Sequence, residues 1–129
     1  MRNANAFVKK NTDANVEITT KNYSNLGDSG FVIIRDNAVI FRSKFQYYGR
    51  APYQLAKIPQ RFKSYGAIEN HPNDADSGEI EVQDGDIIVL ATDGVWDNFA
   101  PNLARTPTFQ PPDDVTVIVA KVVKVTAKL

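Results

Sequence analysis

The run Ile87-Ile88-Val89-Leu90-Ala91 has no polar side chain on either face. A strand sends alternate side chains to opposite faces of its sheet, so such a run needs apolar cover above and below. A second sheet supplies one cover, and helices ordinarily supply the other. Helix signals are scarce here. Residues 97–105 read as a short helix, but Pro101 lies inside it and has to sit near its first turn. Pro107, Pro111 and Pro112 bar any continuation, and residues 54–65 are broken by Pro59. The chain is therefore expected to be capped by a partner, to self-associate, or to be a piece of a larger fold.

Short strands dominate the rest. Residues 16–20 alternate apolar and polar side chains. Residues 31–35 and 38–42 are apolar runs separated by Asp36-Asn37, which predicts a hairpin with a two-residue turn. Ile80 and Val82 face one way, Glu79 and Glu81 the other, and Asp84-Gly85 turns the chain into the apolar run. Residues 115–125 are rich in valine and predict one long strand or two short ones. Residues 64–78 read as a long loop. The 129 residues suffice for one domain with one core, spanning 1–129.

Lys and Arg number 15, and so do Asp and Glu. Zero net charge argues against a general binder of nucleic acid or of anionic membranes, though not against a local patch. No apolar stretch approaches a membrane span. The absence of cysteine excludes disulfides, zinc thiolates and thiol nucleophiles, and fits a reducing, intracellular compartment. Residues 1–10 carry Arg2, Lys9 and Lys10 and no acid, as a transit peptide does, but they run into strand-like sequence. Eleven of the acids are Asp, a residue of turns whose short carboxylate at a strand end suits a hard cation.

Three segments combine such an Asp with a strand terminus: Asn25-Leu26-Gly27-Asp28-Ser29-Gly30, Ala91-Thr92-Asp93-Gly94-Val95-Trp96-Asp97-Asn98, and Pro112-Asp113-Asp114-Val115-Thr116-Val117. If their strands are neighbours, the carboxylates gather along one rim and offer oxygen ligands to Mg²⁺ or Mn²⁺. Gly94 is expected to let the backbone turn sharply after its strand. Singly, each segment also reads as an ordinary turn.

Together and in this order, the segments resemble the Gly-Asp-Ser, Asp-Gly-x-x-Asp and Asp-Asp/Asn-x-Ser/Thr-Val motifs of the protein phosphatase 2C family. Ala51-Pro52-Tyr53-Gln54-Leu55, Asp74-Ala75-Asp76 and the Gly30 that follows Gly-Asp-Ser are similar to the branch that includes mitochondrial members. The resemblance runs from about Asn25 to Ala120. It implies an α+β fold: an antiparallel β-sandwich in αββα layers, reduced here to mostly β with few helices. It also implies a metal-dependent serine/threonine phosphatase acting on phosphoproteins, in which a two-metal centre activates a water, so no side chain serves as nucleophile. By motif, Asp93 and Asp113 match ligands of that centre, and Asp28 and Asp97 match acids of a third, weaker metal position. Gly27, Gly94 and Asp114 are supporting residues. The compartment implied is mitochondrial or cytoplasmic.

The departures are equally specific. The family's Asp-Gly-x-Gly segment, which supplies the metal-bridging Asp, has no match, and neither does the region bearing its phosphate-gripping Arg. A short, proline-broken connection stands between Asn98 and Pro112 where the family has helices, and Arg50 stands where the branch has Asn. The chain alone is therefore expected to be catalytically incomplete. The alternative is an inactive phosphatase-like domain that serves as a binding or regulatory module. His71 before Pro72 reads as a loop residue. The weak likeness of residues 74–78 to a calcium loop is discounted, because Gly85 stands where the bidentate Glu belongs. Trp96 reads as core or cleft packing.

Overall fold

The computed structural model describes residues 8–13, 16–99 and 113–125. In chain order its elements are β1 (Val8–Asp13), β2 (Val16–Asn25), β3 (Gly30–Arg35), β4 (Ala38–Arg42), β5 (Tyr47–Tyr48), β6 (Ala51–Pro52), α1 (Gln60–Lys63), a 3₁₀ turn (Pro72–Asp74), β7 (Asp76–Gln83), β8 (Ile87–Ala91), α2 (Asp93–Phe99) and β9 (Val117–Lys121). Three strands form one sheet in the order β1-β2-β7, and four form a second in the order β4-β3-β8-β9. Every strand pair is antiparallel.

The two sheets face each other across the main core. Phe31 and Ile33 of β3 meet Val82 of β7, with Tyr23, Phe41, Ile80, Ile88, Leu90 and Val122 packed around them. Tyr23, Phe31 and Phe41 form a ring triad with centroids 5.4–5.5 Å apart. On the opposite face of the second sheet, Val32 and Ala91 pack under Trp96 of α2, flanked by Ile34, Phe45, Val89 and Val95. The apolar run is thus covered on both faces at its carboxyl end, by the first sheet on one side and by α2 on the other. Trp96 is core, and its indole N–H donates to the Ala91 carbonyl at 2.9 Å.

The predicted hairpin is present. Arg35 pairs with Ala38, and Asp36 and Asn37 take positive φ of 50° and 64°, the left-handed pair that a tight hairpin turn demands. The alternation in β7 is also present, with Val82 buried and Glu79 and Glu81 exposed. Three expectations need correction. The second helix begins at Asp93, four positions before the predicted start, because an acid in a first turn complements the partial positive charge of a helix N-terminus; residues 100–105 lie outside the described residues. The valine-rich C-terminal stretch contributes one strand of five residues, Val117–Lys121. Past it, Val122 donates to the Asp86 carbonyl and Lys124 to the Asp84 side chain, which ties the chain to the β7–β8 turn. Residues 64–78, predicted as loop throughout, include the 3₁₀ turn and the start of β7 at Asp76.

Candidate metal centre

The rim is set by strand register. Gly30, the first residue of β3, pairs with Ala91, the last of β8, and Ala91 pairs with Val117, the first of β9. Asp28, Asp93 and Asp113 lie just beyond these three residues, so the second sheet delivers all three motif segments to one end. Gly27 turns the chain before β3 at a φ of 91°, a conformation that favours glycine, and is buried there.

Asp93 stands in the first turn of α2, and its Oδ1 accepts from the Gly94 N–H at 2.9 Å. Asp97 follows one turn later, where helical geometry places it beside Asp93. Burial raises the Asp97 carboxyl above its ordinary pKa, and the charges of Asp93 and Asp113 raise it further. Three acids therefore share one electrostatic neighbourhood. Asp113 is exposed, and its Oδ1 accepts from the Asp114 N–H at 2.7 Å. Asp114 takes part through its main chain, with its carbonyl accepting from the Thr92 hydroxyl at 3.2 Å.

Gly94 has a role other than the predicted turn. It is buried within α2, and a β-carbon there would stand 2.6 Å from the Asp114 carbonyl oxygen. Only glycine admits the Asp113-Asp114 backbone this close to the helix. Thr92, which the motif reading passed over, stitches the same junction. Its hydroxyl accepts from the Thr116 N–H at 3.1 Å, and its own N–H donates to the Thr116 carbonyl at 3.1 Å.

Gln46 was also missed. Its side-chain oxygen accepts from the Gly27 N–H at 2.9 Å, and its main-chain N–H donates to the Gly27 carbonyl at 2.9 Å, so it grips the loop that carries Asp28. Nothing local in the sequence marks either residue, because each role depends on a partner distant along the chain. Beside the rim lies a cleft of about 240 Å³ lined by Ser24, Asn25, Ser29, Thr92 and Thr116 together with apolar side chains.

Carboxylates are the donor type that suits a hard divalent cation, and Asp93 and Asp113 are near enough to Asp97 to act on its carboxyl. As placed, the described side chains fall short of a complete site for one ion as well as for two. Among the described residues, no three His, Cys, Asp or Glu side chains stand close enough together to hold a metal ion. His71 opens the 3₁₀ turn and is exposed, 3.6 Å from Glu69 and away from the rim acids. Asp74 lies in that turn and Asp76 in β7, an arrangement unlike a calcium loop.

No family model matches the chain. Individual proteins do. The protein phosphatase PTC7 homolog fig of Drosophila willistoni is 42% identical over 86 residues, which are 65% of this chain and 27% of that protein. Protein phosphatase 2C homolog 7, mitochondrial, of Saccharomyces cerevisiae is 44% identical over 84 residues, 60% of this chain and 24% of the relative. The protein phosphatase PTC7 homolog of Homo sapiens is 43% identical over 76 residues, 58% of this chain and 25% of the relative. Among solved structures, the photosystem II phosphatase PBCP superposes with a TM-score of 0.52 at 27% identity, over 64% of this chain and 34% of that one. The chain spans about a quarter of the length of these sequence relatives.

Proposed function

From its similarity to the PTC7 and protein phosphatase 2C relatives we propose that the chain belongs to that branch and carries the carboxyl-terminal acids of a metal-dependent serine/threonine phosphatase site. One observation carries the reading. The row Gly30, Ala91, Val117 brings three sequence-distant Asp segments to one end of one sheet. Asp93 and Asp113 are the residues proposed to hold Mg²⁺ or Mn²⁺, with Asp28 and Asp97 flanking them. Gly27, Gly94 and Asp114 shape the backbone that presents them. When bound, such cations supply an activated water and neutralise phosphoryl charge. The chain itself contributes carboxylate ligands, the close packing of Gly94 on Asp114, and a hydroxyl-lined cleft beside the rim. The substrates are proposed to be phosphoproteins. The mitochondrial name of the yeast relative supports an organellar location, with the cytoplasm as the alternative. No helix of the described residues is long and apolar enough to cross a membrane.

A second reading, a catalytically silent binding or regulatory module, applies to these 129 residues taken by themselves, which hold no Asp-Gly-x-Gly segment. Two cations about 3.5–4 Å apart need a bridging ligand. Isothermal titration with Mn²⁺ and phosphate release from a phosphopeptide separate the two readings. Weak Mn²⁺ binding that is lost in Asp93→Asn, with turnover near background, is the expected result. Mn²⁺ binding that Asp93→Asn leaves unchanged would sink the metal assignment. Robust Mn²⁺-dependent turnover abolished by Asp93→Asn would sink the silent reading and assign the bridge to another acid, such as Asp97 or Asp114.

A further inference from the structure

From residue 37 to residue 68 the chain holds no acidic residue, yet it carries Arg42, Lys44, Arg50, Lys57, Arg61 and Lys63. In a chain of zero net charge this is a strong segregation, and all six side chains belong to exposed residues. Most of this stretch forms one hydrogen-bonded excursion. Buried Asn70 closes it: its Oδ1 accepts from the Gln54 N–H at 2.9 Å, and its amide donates to the Tyr48 hydroxyl at 3.4 Å. Glu69 accepts from the Ile58 N–H and from Lys63 at 2.8 and 2.9 Å. Apolar side chains stand exposed among the bases: Leu55 at 60%, Phe62 at 45% and Tyr65 at 84%. The root of the excursion is fastened to the metal rim, where Gln46 grips Gly27 and the Phe45 ring lies 6.5 Å from that of Trp96.

We propose that this basic excursion is a docking surface for an acidic segment, carrying apolar residues, of a phosphoprotein substrate. The proposal rests on the phosphatase reading for the word substrate, and on charge and position for the rest. Opposite charge supplies attraction and orientation, and the exposed Leu55, Phe62 and Tyr65 supply apolar contact. The root of the excursion keeps a peptide seated there near the loop that carries Asp28. Nucleic acid fits less well. Bases stack on aromatic faces, and here Tyr48 and Tyr53 stack on each other at 4.1 Å and the Arg61 guanidinium lies over the Phe62 ring at 4.7 Å, which leaves Tyr65 as the most exposed ring of the excursion.

The test is fluorescence anisotropy with a labelled peptide rich in Glu and Leu around one serine, prepared with and without phosphate on that serine. It is measured with the native chain and with the triple variant Arg50→Glu, Lys57→Glu, Arg61→Glu. These are surface positions, and circular dichroism of the variant checks that its fold is kept. Both peptides are expected to bind the native chain, more weakly as salt rises, and to bind the variant about tenfold or more weakly. A peptide with Lys in place of Glu is expected not to bind. Equal affinity for native chain and variant overturns the proposal, as does failure of the unphosphorylated peptide to bind. Single-stranded RNA of equal charge, or vesicles containing phosphatidylserine, binding as tightly as the peptides overturns it too. Mn²⁺ dependence of the phosphopeptide signal reports on the metal centre separately, so docking and the phosphatase reading fail independently.

Discussion

At the scale of single residues, Gly94 shows how closely the site depends on atoms that carry no charge. In an exposed helix, Gly→Ala is favourable by about 1 kcal/mol. Here the added carbon would meet a backbone oxygen at 2.6 Å, and overpacking against a main chain costs about 1–3 kcal/mol. The clash is the larger effect. Gly94→Ala is therefore expected to destabilise the chain by about 1 kcal/mol net, read as a lower urea midpoint, and to weaken Mn²⁺ binding by moving Asp113. The placement of these acids at strand ends was legible from sequence, since an Asp beside Gly or Ser after an apolar run has a recognisable pattern. The reason for Gly94 was not. Sequence offered a turn, whereas the constraint comes from a backbone about twenty residues away. Thr92 and Gln46 escaped for the same reason, because their partners are set by tertiary register and not by neighbours.

At the scale of elements, the turn between β7 and β8 is locked to the end of β3. Both Asp86 carboxylate oxygens accept from Arg35 at 2.8 Å, and Oδ2 also accepts from the Gln83 N–H at 2.9 Å. Asp86 is fully buried, while the Arg35 side chain keeps 30% exposure. The Arg35 hydrogen bonds, helped by the Gln83 N–H, hold the Asp86 carboxyl below its ordinary pKa against the opposing effect of burial. A depressed acid stabilises the folded state above the unfolded carboxyl value of about 3.9, and that contribution is lost as pH falls through the lower folded value. Stability is thus expected to decline below about pH 4. Asp86→Asn should flatten that acid limb and cost about 2 kcal/mol at neutral pH, below the roughly 3–5 kcal/mol of a fully buried pair because Arg35 still reaches water. Denaturant midpoints measured across pH check both. Sequence placed the Asp84-Gly85 turn and the strands around it, but Asp86 read only as the polar start of an apolar run.

At the scale of the whole molecule, the expected sandwich is present and its outer cover is local. Trp96 and Val95 shield one end of the second sheet, while Val39, Val117 and Val119 remain exposed, Val119 at 65%. Ile118 is exposed as well, and an apolar gap of about 430 Å³ lies between the sheets near β9. β9 is an edge strand of Val-Ile-Val-Ala-Lys, the kind of edge that recruits further strands. Concentration-dependent self-association is expected in sedimentation velocity, with Val119→Lys shifting the chain toward monomer. An unchanged distribution would show that β9 is not the contact. This uncovered face was legible before the structure, because a run without a polar side and a shortage of helix signals conflict wherever they occur together. One consequence concerns time. β2 pairs with β7 from Ile18 opposite Gln83 to Asn25 opposite Asp76, so the whole β3–β4 hairpin and the basic excursion lie inside the loop which that pairing closes. Contacts this remote are slow to form, and a ribosome must release β7 before β2 has its second partner. Until then the edge of β2 that β7 takes stays open, although the Phe31 and Phe41 rings of the β3–β4 hairpin are already available to Tyr23, which makes the late closure of the first sheet the interval in which this protein is most open to misassembly.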